Sequence, residues 1–346
     1  MIYKNIEIFN VEELVELEDG SVTWRRVPKW AEDTLERGDQ SLRYSRGFAG
    51  VELRFVLKGE SATIRLAKVK DDGVDNSFCV YRGAFQGYYG DYAKTRVINT
   101  MEPVDVVISQ HQSQERQEKM MALTDDWWDM NVIRVCFDRG LYRIIDVVGD
   151  VEPPKRAQCP AKRLMTYGSS ITVGMDGMTS STAWATMLAR KLKWDLLNKG
   201  FAGSCMLEYD VAEYLAQLGE RGEYDAGILE LGINAMTYPE EKVYDRVENI
   251  LRQVVGRNPD KQFFVVSPFL APNDWAGDGA NGRKWRRIIP EVVEKLNYVN
   301  LTYINGRDII NDVSLYSADG LHPSIYGHME IANNMYDRVQ EKLTKM

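Results

Sequence analysis

From Arg163 to Leu343 short apolar runs alternate with longer stretches whose apolar residues recur every three to four positions. "RLMTYG" is followed by "TAWATMLARKL", where Trp184, Met187, Leu188 and Leu192 fall on one helical face. "WDLLNKG", the helix-like "EYDVAEYLAQLGER" and the apolar "YDAGILELG" come next. Then follow "EEKVYDRVENILRQVV", with Val243, Val247, Ile250, Leu251 and Val254 on one face, and the strand-like "KQFFVVSPFL". "RKWRRIIPEVVEKLN" reads as a helix in which Pro290 predicts a kink or a second start. "LTYING" and a last helix from about Ser324 to Leu343 close the series. Strands apolar throughout and separated by helices fold as a parallel sheet covered on both sides, with functional loops at the strands' carboxyl ends.

Upstream the rhythm is different. Between about Val51 and Val151 lie short β runs, "VELRFVLKG", "SATIRLAKV", "SFCVYRG", "TRVINT", "VDVVISQ", "VIRVCFD" and "LYRIIDVVGDV", several of them alternating apolar and polar. This is the pattern of an antiparallel, jelly-roll-like β-sandwich. The first forty residues are less regular: "VEELVELEDG" suits a short helix or an edge strand, "WAEDTLERG" is polar, and both are assigned to the β domain. "GDVEPPKRAQCPAKR", residues 149–163, has the prolines and basic residues of a linker. The expected organisation is an all-β domain over residues 1–152 and an α/β domain over 163–346, in keeping with about 150 residues per domain.

The net charge of −8 argues against a polyanionic partner, because nucleic-acid binding calls for a basic face. The basic cluster "RKWRR", 283–287, sits on a helical pattern and reads as a solvated face. No run approaches eighteen apolar residues, and "MIYKNIEIFNVEELVE" lacks a basic-then-apolar leader, so the expectation is a cytoplasmic protein with no membrane partner. Cys79, Cys136, Cys159 and Cys205 are scattered and form no CxxC pair, which predicts buried thiols and no structural metal. A homo-oligomer is left open.

Chemistry-bearing residues cluster where the α/β pattern places strand ends. In "LMTYGSSITVG" Ser169 and Ser170 directly follow the first parallel strand, in a turn expected to expose them. Serine attacks esters only with a base to take its proton, a group to orient that base, and donors for the developing oxyanion. His322 in "SADGLHPSIYGH" follows the last strand, with Asp319 three residues earlier in the same loop, so one loop can present an imidazole and the carboxylate that fixes its tautomer. His328 and His111 read as surface or helix-capping residues. "NKGFAGSC" places Gly200 and Gly203 after the second strand, and "LELGINAM" places Asn234 after the third. A backbone N–H and an Asn amide are both suitable oxyanion donors. Each feature alone is an ordinary turn; together, at successive strand ends, they outline a site.

The ordered series GSS, N-x-G-x-x-G, LGIN and DGLHP resembles the SGNH (GDSL-like) hydrolases over roughly residues 160–346. That resemblance implies a three-layer α/β fold with Ser170 as nucleophile and His322 as base, oriented by Asp319. It also implies an oxyanion hole made of the Ser170 N–H, Gly203 and Asn234. Ser169 stands where Asp is usual in the GDS block, and GSSI is a variant whose second serine is the nucleophile; "GINA" lacks the acid that follows the third-block Asn. A β-sandwich ahead of such a domain looks like the two-domain carbohydrate esterases, including the acetylxylan esterase group, and is similar to two-domain acyltransferases of natural-product pathways. The implied activity is removal of acyl groups, acetyl foremost, from small carbohydrate esters without a cofactor. An acyltransferase using the same residues and a non-catalytic carbohydrate-binding protein are the alternatives. The architecture further suggests that Trp127, Trp128 and the Tyr88 to Tyr92 stretch border the site and help select the alcohol.

Overall fold

A computed structural model describes residues 1–346 apart from 72–75, 88–96, 99–100, 111–112, 125–126 and 346. The Tyr88 to Tyr92 stretch and His111 lie outside the described residues.

"VELRFVLKG" and "SATIRLAKV", read above as two runs, form one strand, β1 (Glu52–Lys68), that passes straight through Gly59. Its first half pairs antiparallel with β2 (Val132–Arg139) and with Ile6–Phe9. Its second half pairs with Val104–Ser109 and with β3 (Tyr142–Glu152). Between the halves the register against β3 shifts, from Gly149 opposite Ala62 to Val151 opposite Leu57. A bulge of this kind bends a long strand, so no turn is needed to change partners. Inward residues of both halves, among them Leu53, Phe55, Ile64 and Leu66, meet Trp24, Phe137 and Tyr142 in one core. The N-terminal unit, Met1–Val27 with Ser45–Ala161, is thus an antiparallel-sheet domain. All four cysteines are free thiols, and Cys79 faces Cys136 across adjacent strands.

Trp128 is buried beside Val56, Ala84 and Val132, with the guanidinium groups of Arg134 and Arg54 4.3 and 4.9 Å from its ring centroid. Occupied in this way, the Trp128 ring is a core aromatic and not a platform for a sugar.

The second unit joins Lys162–Met346 with Pro28–Tyr44. The polar segment assigned above to the first domain therefore belongs in large part to the other. The parallel strands are β4 (Arg163–Tyr167), β5 (Asp195–Asn198), β6 (Ala226–Glu230), β7 (Gln262–Val266) and β8 (Leu301–Ile304). Their order is β5-β4-β6-β7-β8, every neighbouring pair parallel. The order reverses between β4 and β6, and a crevice at such a switch point is where open α/β sheets bind ligands.

Helices α1 (Ser170–Val173), α2 (Trp184–Leu192), α3 (Tyr209–Glu220), α4 (Glu240–Ile250), α5 (Ala280–Leu296) and α6 (Ile325–Leu343) connect or cover the strands. Trp184, Leu188, Ile331 and Met335 are among the buried side chains packed with Ile228 and Phe264 of the sheet. Helix α5 runs through Pro290 with no second start. Proline there deprives the Arg286 carbonyl of its helical donor, and the Tyr303 hydroxyl donates to that oxygen instead, at 3.4 Å. Among the described residues no helix is long and apolar enough to cross a membrane.

His328 is fully buried, contrary to its reading as a surface or capping residue. Its Nδ1 accepts from the Trp184 N–H at 3.3 Å and its Nε2 lies 2.9 Å from the Met175 carbonyl, so the ring is neutral with the proton on Nε2. Burial pushes its pKa down to about 4 against the bond to Met175. Below pH 6.5 the unfolded chain takes up a proton that the folded protein refuses until about pH 4, so this contribution to stability is lost as pH falls through that window. Measured by urea denaturation, the stability difference between the wild type and a non-titrating His328→Gln variant should shrink by on the order of 3 kcal/mol between pH 7 and pH 4. A constant difference would show that His328 does not resist protonation.

Candidate active site

Strand β4 ends at Tyr167, and the chain turns through Gly168 and Ser169 into α1, whose first residue is Ser170. The Ser170 hydroxyl is 2.7 Å from His322 Nε2, whereas that of Ser169 turns away, 2.7 Å from Glu230 Oε2. Ser170 is only 4% exposed, in contrast to the open turn expected from the sequence, because its side chain is tucked against the loop that precedes α6.

That loop is built around Asp319. One carboxylate oxygen accepts from the Ser317 hydroxyl at 2.7 Å and from the N–H groups of Leu321 and His322, each at 2.9 Å. The other lies 2.5 Å from His322 Nδ1. Partial burial would raise the Asp319 pKa, but the N–H groups of His322 and Leu321, the Ser317 hydroxyl and the imidazole together hold it well below the usual carboxylate range. An ionised carboxylate can only accept, so Nδ1 carries the imidazole proton and Nε2 offers a lone pair to the Ser170 hydroxyl. Hydroxyl, imidazole and carboxylate form one directed chain.

The residues expected as oxyanion donors follow the ends of β4, β5 and β6. The Asn234 Oδ1 accepts the Cys205 N–H at 3.0 Å, which orients the amide so that Nδ2 is the outward group. Among the described residues Nδ2 has no acceptor. The Ser170 N–H opens a helix and has no partner within it. Gly203, at φ +66°, is in the left-handed region. It also lies under Gln40: a Cβ on Gly203 would come within 1.9 Å of the Gln40 Nε2. Gly200 points its N–H at the Asn198 side chain at 2.9 Å and is structural.

Sequence reasoning missed two contributors. Glu230, the last residue of β6, accepts through Oε2 from the Ser169 N–H at 2.6 Å, the Ser169 hydroxyl at 2.7 Å and the Thr172 hydroxyl at 3.1 Å. Burial raises its pKa to about 7 in spite of those bonds. In the sequence Glu230 is one polar residue in an apolar strand, and its spacing carries no motif. The other is the segment Pro28–Tyr44. The Arg37 guanidinium donates to the Asn234 carbonyl at 3.3 Å, and Glu36 binds Arg246, Lys242 and the Tyr238 hydroxyl at 2.5, 3.3 and 2.8 Å. Its N–H donates to Glu208, whose pKa burial raises to about 7. Asp176 brings a carboxylate within 4.8 Å of Asp319 and His322. Both His322 nitrogens are already engaged, so this trio is poorly suited to a resident metal ion.

The model of the GDSL-like lipase/acylhydrolase family matches residues 161–341, and the chain belongs to that family. It is an SGNH-type esterase. Its fold is similar to that of a salicylyl-acyltransferase from a tetracycline biosynthetic pathway, with TM-score 0.77 and 15% identity over 99% of this chain and 95% of that one. It is also similar to a family two carbohydrate esterase from Cellvibrio japonicus, with TM-score 0.62 and 10% identity over 97% and 95% of the respective chains. An acetyl xylan esterase from the rumen bacterium Butyrivibrio proteoclasticus matches with TM-score 0.56 and 14% identity over 100% and 98%. No curated protein sequence matches the chain. At such identities the likeness is one of fold.

Replacing Gly203 by alanine should cost about 1–2 kcal/mol from the left-handed backbone alone, with more from displacing Gln40. Adding Gln40→Ala should relieve the second part and leave the first, as read by urea denaturation of the single and double variants. Equal stability of Gly203→Ala and wild type would contradict the backbone conformation described.

Proposed function

We propose that this enzyme removes acyl groups, acetyl foremost, from small carbohydrate esters by a serine mechanism. The observation that carries the reading is the unbroken chain from the Ser170 hydroxyl through His322 to Asp319, 2.7 and 2.5 Å at its two links. Ser170 Oγ attacks the ester carbonyl carbon while its proton passes to His322 Nε2. The carbonyl oxygen becomes an oxyanion received by the Ser170 and Gly203 N–H groups and the Asn234 amide. Collapse breaks the bond to the alcohol, which leaves with the proton from Nε2. Water, deprotonated by His322, then attacks the acyl-serine; the acid leaves and the proton returns to Ser170. Asp319 remains ionised and stabilises the imidazolium. This sequence requires no cofactor.

Carbohydrate as the alcohol is supported by the family two carbohydrate esterase and the acetyl xylan esterase among the similar folds. The substrate proposed is an acetylated oligosaccharide met in the cytoplasm. The acyltransferase fold, at TM-score 0.77, favours a second reading in which a hydroxyl compound replaces water as acceptor. Both readings use the same residues and diverge only at deacylation. Product analysis with and without an added alcohol separates them: free acid alone in both cases supports hydrolysis, and a new ester supports transfer.

Ser170→Ala should abolish turnover of p-nitrophenyl acetate and of acetylated xylan and mannan oligosaccharides while the protein stays folded, since it removes one side-chain hydrogen bond worth about 1 kcal/mol. Asn234→Ala should lower kcat roughly 100- to 1000-fold with little change in KM, because its amide bonds to charge that exists in the transition state. A raised KM with unchanged kcat would make Asn234 a ground-state binding group. Failure of a serine-directed organophosphonate to label the folded protein would favour a non-catalytic binding protein.

A further inference from the structure

We propose that Glu230 is a positioning residue for Ser170, a clamp that sets the nucleophile's turn from beneath. The inference rests on the reading of Ser170 as the nucleophile.

The parallel register places Tyr167 of β4 opposite Leu229 of β6, so Glu230 emerges beside the Gly168–Ser169 turn. Space for its carboxylate exists because residue 168 has no side chain. A Cβ there would lie 2.5 Å from Glu230 Oε2 and 2.4 Å from the Thr172 hydroxyl oxygen. All three donors described above converge on Oε2, while Oε1 is buried and has no partner among the described residues. A buried carboxyl oxygen without a hydrogen-bond partner is unfavourable, and an apolar side chain would fill the space without that penalty. The role of Glu230 is therefore geometric.

Ser169 transmits that geometry. Its hydroxyl donates to Glu230 and accepts the Ile171 N–H at 3.2 Å, making it the N-cap of α1. Its N–H donates to the same carboxylate oxygen, and Thr172, one residue beyond Ile171, is held there too. Ser170 is thus bracketed by fixed neighbours on both sides, with its N–H and its hydroxyl direction set together. An error of about 1 Å in such a placement costs on the order of 100-fold in rate.

Four single variants and the Ser169→Ala/Glu230→Gln double variant, assayed with p-nitrophenyl acetate and checked for folding by circular dichroism and urea denaturation, test the proposal. Glu230→Gln keeps one oxygen able to accept all three donors and should retain kcat within about tenfold, whereas Glu230→Leu should lose on the order of 100-fold in kcat with KM nearly unchanged. Ser169→Ala, which removes only the linking hydroxyl, should lower kcat in the same direction, and its effect should be less than additive with Glu230→Gln. Ser170→Ala separates the two levels. If it retains turnover, the nucleophile assignment fails and the clamp with it. If it is inactive while folded Glu230→Leu turns over at the wild-type rate, the clamp alone is overturned. A Gln variant no better than Leu would also overturn it, since the oxygen acceptor would then be irrelevant. Should Glu230→Leu fail to fold, Ser169→Ala decides, and an unchanged kcat there overturns the proposal.

Discussion

The parallel pairing of β4 with β6 is the constraint on which the rest of the second unit depends. Because Met165 lies opposite Gly227 and Tyr167 opposite Leu229, the two strands end level, and the turn after one meets the last residue of the other. A side-chain period of two makes this register unforgiving: a slip by one residue would turn Glu230 to the opposite face of the sheet. The same register leaves Asn234, four residues beyond Glu230, able to accept the Cys205 N–H from the loop after β5. The loops after β5 and β6 thus meet without either being long.

Two histidines six residues apart show how local hydrogen bonding decides function. His322 faces a carboxylate on one nitrogen and a hydroxyl on the other, so a proton can enter at Nε2 and be stabilised there. His328 faces an N–H on one nitrogen and a carbonyl on the other, an arrangement that only the neutral ring satisfies. Residue type is identical, and the partners assign one ring to proton transfer and the other to packing.

Much of the second unit was legible in the sequence because its signals are local. Five apolar runs separated by amphipathic stretches define the strands and helices, and the loop residues Ser170, Gly203, Asn234, Asp319 and His322 stand at strand ends in order. What was not legible depends on contacts remote in sequence. Gly59 looks like a turn until the extra residues of β1 opposite Asp150 are seen to bulge and let the strand bend through it. Pro290 looks like a helix break until Tyr303 supplies the missing donor. Glu230 gains its meaning only from the turn that β4 places beside it. The polar stretch after Val27 has no periodicity, and its place in the second unit rests on side-chain bonds, chiefly those of Glu36 and Arg37.

That stretch makes the second unit discontinuous. The Arg26 N–H donates to the Ser45 carbonyl at 2.7 Å, which closes the neck of the loop on the side of the first unit. During synthesis the first unit can therefore complete its own hydrogen bonding while Pro28–Tyr44 is still without its destination. The residues that receive it, Glu208, Asn234, Tyr238, Lys242 and Arg246, lie 172 to 210 positions further along the chain. A segment translated early thus gains its hydrogen-bonding partners only when residues about two hundred positions downstream have been made.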